Sequence, residues 1–173
     1  WKQILLNVAN AFKEHRQQID ESAEKFAVSL QTSELVKYNI AKGNDQFSLK
    51  NLEKPILDLI QRFDPSKGGM NKAPKFPMPS IWSFLLRYHH YEQNREVLEH
   101  TVFTMQEMAK GGIYDQVGGG FARYSVDAEW LVPHFEKMLY DNGQLISLYA
   151  EAYQVTKQPL FKKVVYQTIQ FLE

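Results

Sequence analysis

Apolar residues in this chain recur at steps of three and four, and that period commits most of it to amphipathic helix. The clearest run is Phe135, Leu139, Asn142, Ile146, Tyr149 and Tyr153, with Pro133 just ahead, where a missing N–H costs a helix nothing. It predicts a helix that starts at about residue 134. Leu5, Val8, Phe12, Ile19, Ala23, Phe26 and Leu30 predict a helix or helix pair over 2–31, with a core stripe opposite a charged, solvated face. Residues 31–46 lose the rhythm, end in "KGND" and read as a linker. Ser48 is a candidate N-cap for a helix carrying Leu49, Leu52, Ile56, Leu59 and Phe63, which Pro55 must delay or kink. Further helices are expected over 80–93, 95–110 and from Pro159 onward. No segment carries an unambiguous strand pattern, so the expected fold is all-α, built of stacked αα-hairpins.

Two stretches break the pattern. "DPSKGGMNKAPKFPMPS", residues 64–80, holds four prolines and two glycines. Phe76 and Met78 between those prolines indicate a surface held in one shape, since a free linker gains nothing from them. The second is "GGIYDQVGGGFARYSVDAEWLVPHFEKMLYDNGQ", residues 111–144, far longer than a usual helix connection. Its glycine-rich end, with Val117 and Phe121, fits short strand pieces or turns equally well.

Ionisable and aromatic groups concentrate in that second stretch. Asp115, Asp127, Glu129, Glu136 and Asp141 lie among Arg123, Tyr114, Tyr124 and Trp130. Carboxylate pairs beside aromatic platforms suit sugar chemistry, in which one group is protonated, the other ionised, and a ring covers the apolar face of the pyranose. A helix starting near Pro133 would align His134, Lys137 and Asp141 along one face and put His134 and Glu136 in its first turn. A histidine at a helix start meets the positive end of the helix dipole, which favours the neutral imidazole that acts as a base. Each residue also has a structural alternative. Glu136 suits a first helical turn without any function, His134 can be a packing histidine, and three consecutive glycines can simply make a tight turn.

Composition removes several classes of function. Lys plus Arg and Asp plus Glu number 20 each, so no net charge recruits nucleic acid or an anionic membrane surface. No apolar run is long enough to span a bilayer as a helix. Cysteine is absent, which excludes disulfides, thiolate zinc sites and thiol catalysis within these residues and favours a reducing compartment such as the cytoplasm. No GxGxxG, P-loop or HExxH pattern occurs, and the adjacent His89 and His90 face different ways, so no cofactor or metal is expected. The chain opens on Trp1 and closes on Glu173 inside a helical pattern, as if cut from a longer protein.

"GGMNKAPKFPMPS" followed about thirty residues later by "GGIYDQVGGGFARYSVDAEWLVPHFEKMLYDN" resembles the spermatogenesis-associated thioredoxin-domain family. Met70 and Asn71 depart from its pattern, in which phenylalanine and glycine are expected. The resemblance implies a thioredoxin-like domain joined to an (α/α)6 toroid like that of six-hairpin glycosidases and N-acylglucosamine 2-epimerases. Residues 1–45 would be a flanking helical region and linker, and 46–173 the first hairpins of a truncated toroid. The family's cysteine motif has no counterpart here, so no redox activity carries over. The partners implied are a sugar or other small molecule and the thioredoxin-like domain of the same full-length chain.

The toroid axis would then receive the loops that carry the candidate site. A carbohydrate isomerase, epimerase or hydrolase would use His134 or Glu136 as general acid or base and Asp115 or Asp141 as the second carboxyl group. Arg123 would orient the substrate, and Tyr124, Trp130, Tyr114 and Phe76 would line the cavity. The alternative is a non-catalytic ligand- or protein-binding helical module.

Overall fold

The computed structural model describes residues 1–37 and 48–173, with backbone alone over 31–37. It divides into two units, Trp1–Ser48 and Leu49–Glu173. The expected linker over 31–46 is helical as far as Lys37, and its remainder lies outside the described residues.

The first unit holds α1 (Lys2–Glu14) and α2 (Arg16–Lys37), separated at His15. A helix pair was one of the two expectations for 2–31, but the expected core stripe is not buried. Leu5, Val8, Phe12, Phe26 and Leu30 are all exposed, and no residue of α1 is buried. Only His15 separates α1 from α2, and the His15 N–H still donates to the Ala11 carbonyl at 2.9 Å and its own carbonyl still accepts from the Ile19 N–H at 3.1 Å, so no turn folds one helix back over the other to bury the stripe. Arg16 crosses the break, its guanidinium 4.2 Å from the Phe12 ring centre and 2.8 Å from the Asp20 carboxylate.

The second unit begins with a 3-10 turn at Leu49–Leu52 that runs into α3 (Glu53–Ile60). Pro55 falls in the first turn of α3, where its absent N–H would have had no helical partner. Two hairpins follow, α4 (Pro79–Glu92) with α5 (Arg95–Lys110) and α6 (Leu139–Thr156) with α7 (Pro159–Leu172). Gln93 and Lys157 take left-handed conformations at φ 53° and 57°, which stop α4 and α6 and let the next helix start two residues on. Asn94 caps α5 by accepting from the Val97 N–H at 3.1 Å.

The hairpins stack through α4 on α6 and α5 on α7. Trp82, Leu85, Met105, Met108, Leu145, Leu148, Tyr149 and Phe161 meet there with essentially no exposed surface. The Tyr149 hydroxyl donates to the Met105 carbonyl at 2.8 Å, so the polar end of this core ring is satisfied. The fold is therefore all-α, with one small antiparallel ribbon among the described residues: β1 (Tyr124–Ser125) paired to β2 (Pro133–His134).

That ribbon moves the start of α6. The sequence predicts a helix from about residue 134, whereas α6 begins at Leu139 and the preceding segment is held by the long loop. Pro133 and His134 pair with Ser125 and Tyr124, and the Glu136 carbonyl accepts from the Arg123 N–H at 3.1 Å. Backbone groups engaged in this way cannot also close helical turns. His134, Lys137 and Asp141 consequently do not share a helix face, Glu136 is not in a first turn, and Phe135, in phase with the helix, is 79% exposed.

Candidate functional site

Two irregular segments, the one between α3 and α4 and the one between α5 and α6, fold as a single body over one end of the hairpins. Lys75 and Ser125 exchange backbone hydrogen bonds of 2.9 and 2.8 Å, joining the two directly. In the first segment, one oxygen of Asp64 accepts from the Ser66 N–H, the Ser66 hydroxyl and the Lys67 N–H at 2.9, 2.7 and 3.0 Å. Its other oxygen receives the Lys75 ammonium at 2.6 Å, and that ammonium also donates to the Gly68 carbonyl at 2.6 Å. Lys75 is 2% exposed, and these donors hold the Asp64 carboxyl far below its usual range although burial opposes ionisation.

Trp130 closes over this turn. Its indole N–H donates to the Lys67 carbonyl at 2.8 Å, and the ring lies so close that a Cβ on Gly69 would sit 2.6 Å from it. Asp127 shapes the turn that delivers Trp130 by accepting from the N–H groups of Glu129 and Val132, both at 2.6 Å. Asp115 shapes the glycine turn, accepting from the Val117 and Gly118 N–H groups at 2.9 and 2.8 Å. Lys137 locks it, donating to Asp115 at 2.7 Å and to the Gly119 carbonyl at 2.7 Å. The Gly118 N–H and then the Lys137 ammonium lower the Asp115 pKa to about 2. Gly119 has φ 75°, and a Cβ there would stand 2.3 Å from the Gln167 carbonyl, so glycine is required on both counts.

The expected site residues therefore divide into two groups. Tyr114 is 3% exposed with its hydroxyl donating to Gln167 at 2.8 Å, Trp130 is wholly buried, and Asp115 is engaged in its turn and ion pair. These three hold the loops in place. Arg123, Asp141 and Phe76 instead converge on a cavity of about 330 Å³, with Met78 and Tyr140 also in its wall. Tyr124 and His134 join through a ring stack: Phe76 and Tyr124 lie 4.6 Å apart and Tyr124 and His134 4.4 Å, with planes within 29° and 17°. Phe76 is 45% exposed and offers an aromatic surface beside the cavity. Glu136 is exposed near this stack and contributes its backbone carbonyl to Arg123.

Asp141 has an electrostatic character opposite to that of Asp115. Desolvation raises its pKa, and the Arg123 charge offsets this only in part. A carboxyl pushed toward its protonated form at the wall of a cavity, next to a guanidinium, can hold and release a proton. No group of three or more His, Cys, Asp or Glu side chains arranged to hold a metal ion occurs among the described residues.

Sequence reasoning missed Tyr140 and Met78 as wall residues and Lys75 as the buried cation that organises the first loop. Tyr140 neighbours Asp141 and had a readable signal in that adjacency. Met78 stands out in the sequence, with Phe76, as part of a surface held in one shape, but its place in the cavity wall follows from its left-handed conformation at φ 45°, which turns the chain into α4 between two prolines. Lys75 looks like any surface lysine until Asp64 is placed against it.

No protein-family model matches the chain. It is similar to spermatogenesis-associated protein 20 from rat, at 32% identity over 99% of this chain and 22% of that protein. The human protein of the same name is 33% identical with the same coverage. An uncharacterized protein of Caenorhabditis elegans is 39% identical over 64% of this chain and 16% of its own length. The chain is thus similar over nearly its whole length to mammalian spermatogenesis-associated protein 20, and it spans about a fifth, 22%, of that protein.

Proposed function

We propose that this loop face is the sugar-contacting part of a carbohydrate-active enzyme of isomerase, epimerase or hydrolase type. One observation carries the reading: Asp141, with its raised pKa, and Arg123 share a cavity edged by the Phe76 ring, which stacks on Tyr124. An apolar sugar face packs on such a ring, a guanidinium orients hydroxyl or carbonyl oxygens, and a carboxyl whose pKa burial raises is the better placed of the carboxylates to serve as general acid. His134, in the same stack, and exposed Glu136 are the groups that supply the complementary base. The ion pair of Asp115 with Lys137 supports a structural role for it in this reading. The two stacked hairpins support a further proposal, that they belong to an (α/α)6 toroid, and the motif resemblance adds to that proposal a thioredoxin-like domain in a longer protein.

The test is a turnover screen of the intact protein with monosaccharides and their phosphates, repeated on Asp141→Asn and Asp115→Asn. Loss of a general acid lowers turnover by about 10²- to 10⁴-fold, so Asp141→Asn loses activity and keeps its melting temperature. Asp115→Asn lowers the melting temperature first. Undiminished turnover in Asp141→Asn removes the assignment.

A second reading, a non-catalytic binding module, is favoured by one feature. Of the four acid–base candidates, Asp141 lines the cavity whereas Asp115, His134 and Glu136 are not in its wall. Sugar binding that depends on Phe76 and Tyr124 with no turnover of any bound sugar would establish that reading instead.

A further inference from the structure

We infer that the ligand of this face carries an anionic group, phosphate or carboxylate, which seats in a second cavity against Arg62 and Lys72. The inference rests on the sugar reading above for the remainder of the ligand. A cavity of about 640 Å³ adjoins the Arg123–Asp141 cavity, and Phe76 and Met78 line both. The aromatic surface that would receive a sugar ring is thus also a wall of the larger space.

Arg62, Asn71 and Lys72 line that larger space, and no carboxylate does. Their placement is built in. Phe63 bridges Met70, and the Asn71 N–H donates to the Arg62 carbonyl at 2.7 Å, so the turn brings Arg62 alongside Asn71 and Lys72. Lys75 reaches the same wall, but Asp64 and the Gly68 carbonyl hold its ammonium at 2.6 Å each. Arg62 and Lys72 form no ion pair among the described residues. With Arg123 in the adjoining cavity, three cations line the two spaces against the one carboxyl of Asp141. A guanidinium fork with an ammonium beside it suits bidentate capture of phosphate or carboxylate, and the Asn71 side-chain amide offers further donors.

Calorimetric titration of the intact protein with glucose and mannose, their 6-phosphates, glucuronate and inorganic phosphate tests this. The expected result is that an anionic sugar binds at least about 10-fold more tightly than its neutral parent, the scale of one charge-assisted contact. Arg62→Gln with Lys72→Gln brings the anionic sugars down to their neutral parents while the melting temperature is kept, and Arg62→Glu weakens them further. Comparing the phosphates with glucuronate identifies which anion is preferred. Equal binding of neutral and anionic sugars, or a preference that survives the double variant, overturns the inference and leaves the sugar reading standing. Binding of inorganic phosphate that depends on Arg62 and Lys72, with no sugar bound, supports the anion site and removes the sugar reading. No binding of any probe removes both.

Discussion

The side chain of Asn142 clasps the backbone of Phe121 at both of its polar groups. Its Oδ1 accepts from the Phe121 N–H at 2.7 Å and its Nδ2 donates to the Phe121 carbonyl at 3.0 Å, with no exposed surface on Asn142. An amide mimics a strand neighbour in this geometry and so ties the glycine-rich loop to the first turn of α6. Asn142 falls in phase with the apolar stripe, and the clasp is what justifies a polar residue there.

Asn142→Ala leaves two buried backbone groups unpaired, each at about 1–3 kcal/mol. The expected loss is about 2–5 kcal/mol in urea unfolding of the intact protein. Asn142→Asp keeps the acceptor and sets a carboxylate against the Phe121 carbonyl, so it is expected to be no better than alanine. A change below about 0.5 kcal/mol in both would show that the loop does not depend on the clasp.

The Asp64–Lys75 pair makes a different prediction. Both side chains are buried, at 8% and 1% exposure, and 2.6 Å apart. Lys75→Met leaves a buried carboxylate without its cation, which costs about 3–5 kcal/mol. The double variant Asp64→Asn with Lys75→Met removes the stranded charge, so it is expected to recover part of the loss in a double-mutant cycle. Additive losses would show that the ion pair is not the coupling.

Acid should loosen the same loops. Asp115 has a folded pKa of about 2, below the roughly 3.9 of an unfolded aspartate, and Asp64 is shifted in the same direction. The unfolded chain therefore binds protons first, and stability present above about pH 4 is lost as pH falls toward 2. Asp115 is 39% exposed at its side chain, so its share is screened to no more than about 1 kcal/mol. Urea midpoints measured between pH 7 and pH 2.5 are expected to fall less steeply in Asp115→Asn than in the parent. Parallel slopes would assign the acid sensitivity to other groups.

Helix positions away from the loops were legible in the sequence. Helices expected over 80–93, 95–110 and from Pro159 appear as Pro79–Glu92, Arg95–Lys110 and Pro159–Leu172. Their boundaries depend on local groups, namely prolines at first positions and the Asn94 cap, and local groups can be read in order. The start of α6 was misread for the opposite reason. Pro133 and Phe135 satisfy every local rule for a helix start, but β1, the Arg123 N–H and the Asp115 and Gly119 oxygens that receive Lys137 engage that segment from another part of the chain.

The candidate site shows the same division. Residue type and clustering pointed to Asp115, Arg123, Tyr124, Trp130 and Asp141 together, because loops rich in ionisable and aromatic groups often carry chemistry. Sequence order could not separate Trp130, buried against Gly69, from Phe76, which keeps an open face. Nor could it distinguish Asp115, held ionised by Lys137, from Asp141, pushed toward protonation by burial. Those differences arise from which partners lie within a few ångströms across about 10 to 60 residues of chain.

By itself, then, the sequence determined an all-α chain with two structured loops, because helical period and turn chemistry act over four or five residues. Only the tertiary structure decided which aromatic rings and carboxylates became supports and which line a cavity. Burial and ionisation depend on neighbours that the chain brings together only when the loops close on the hairpins.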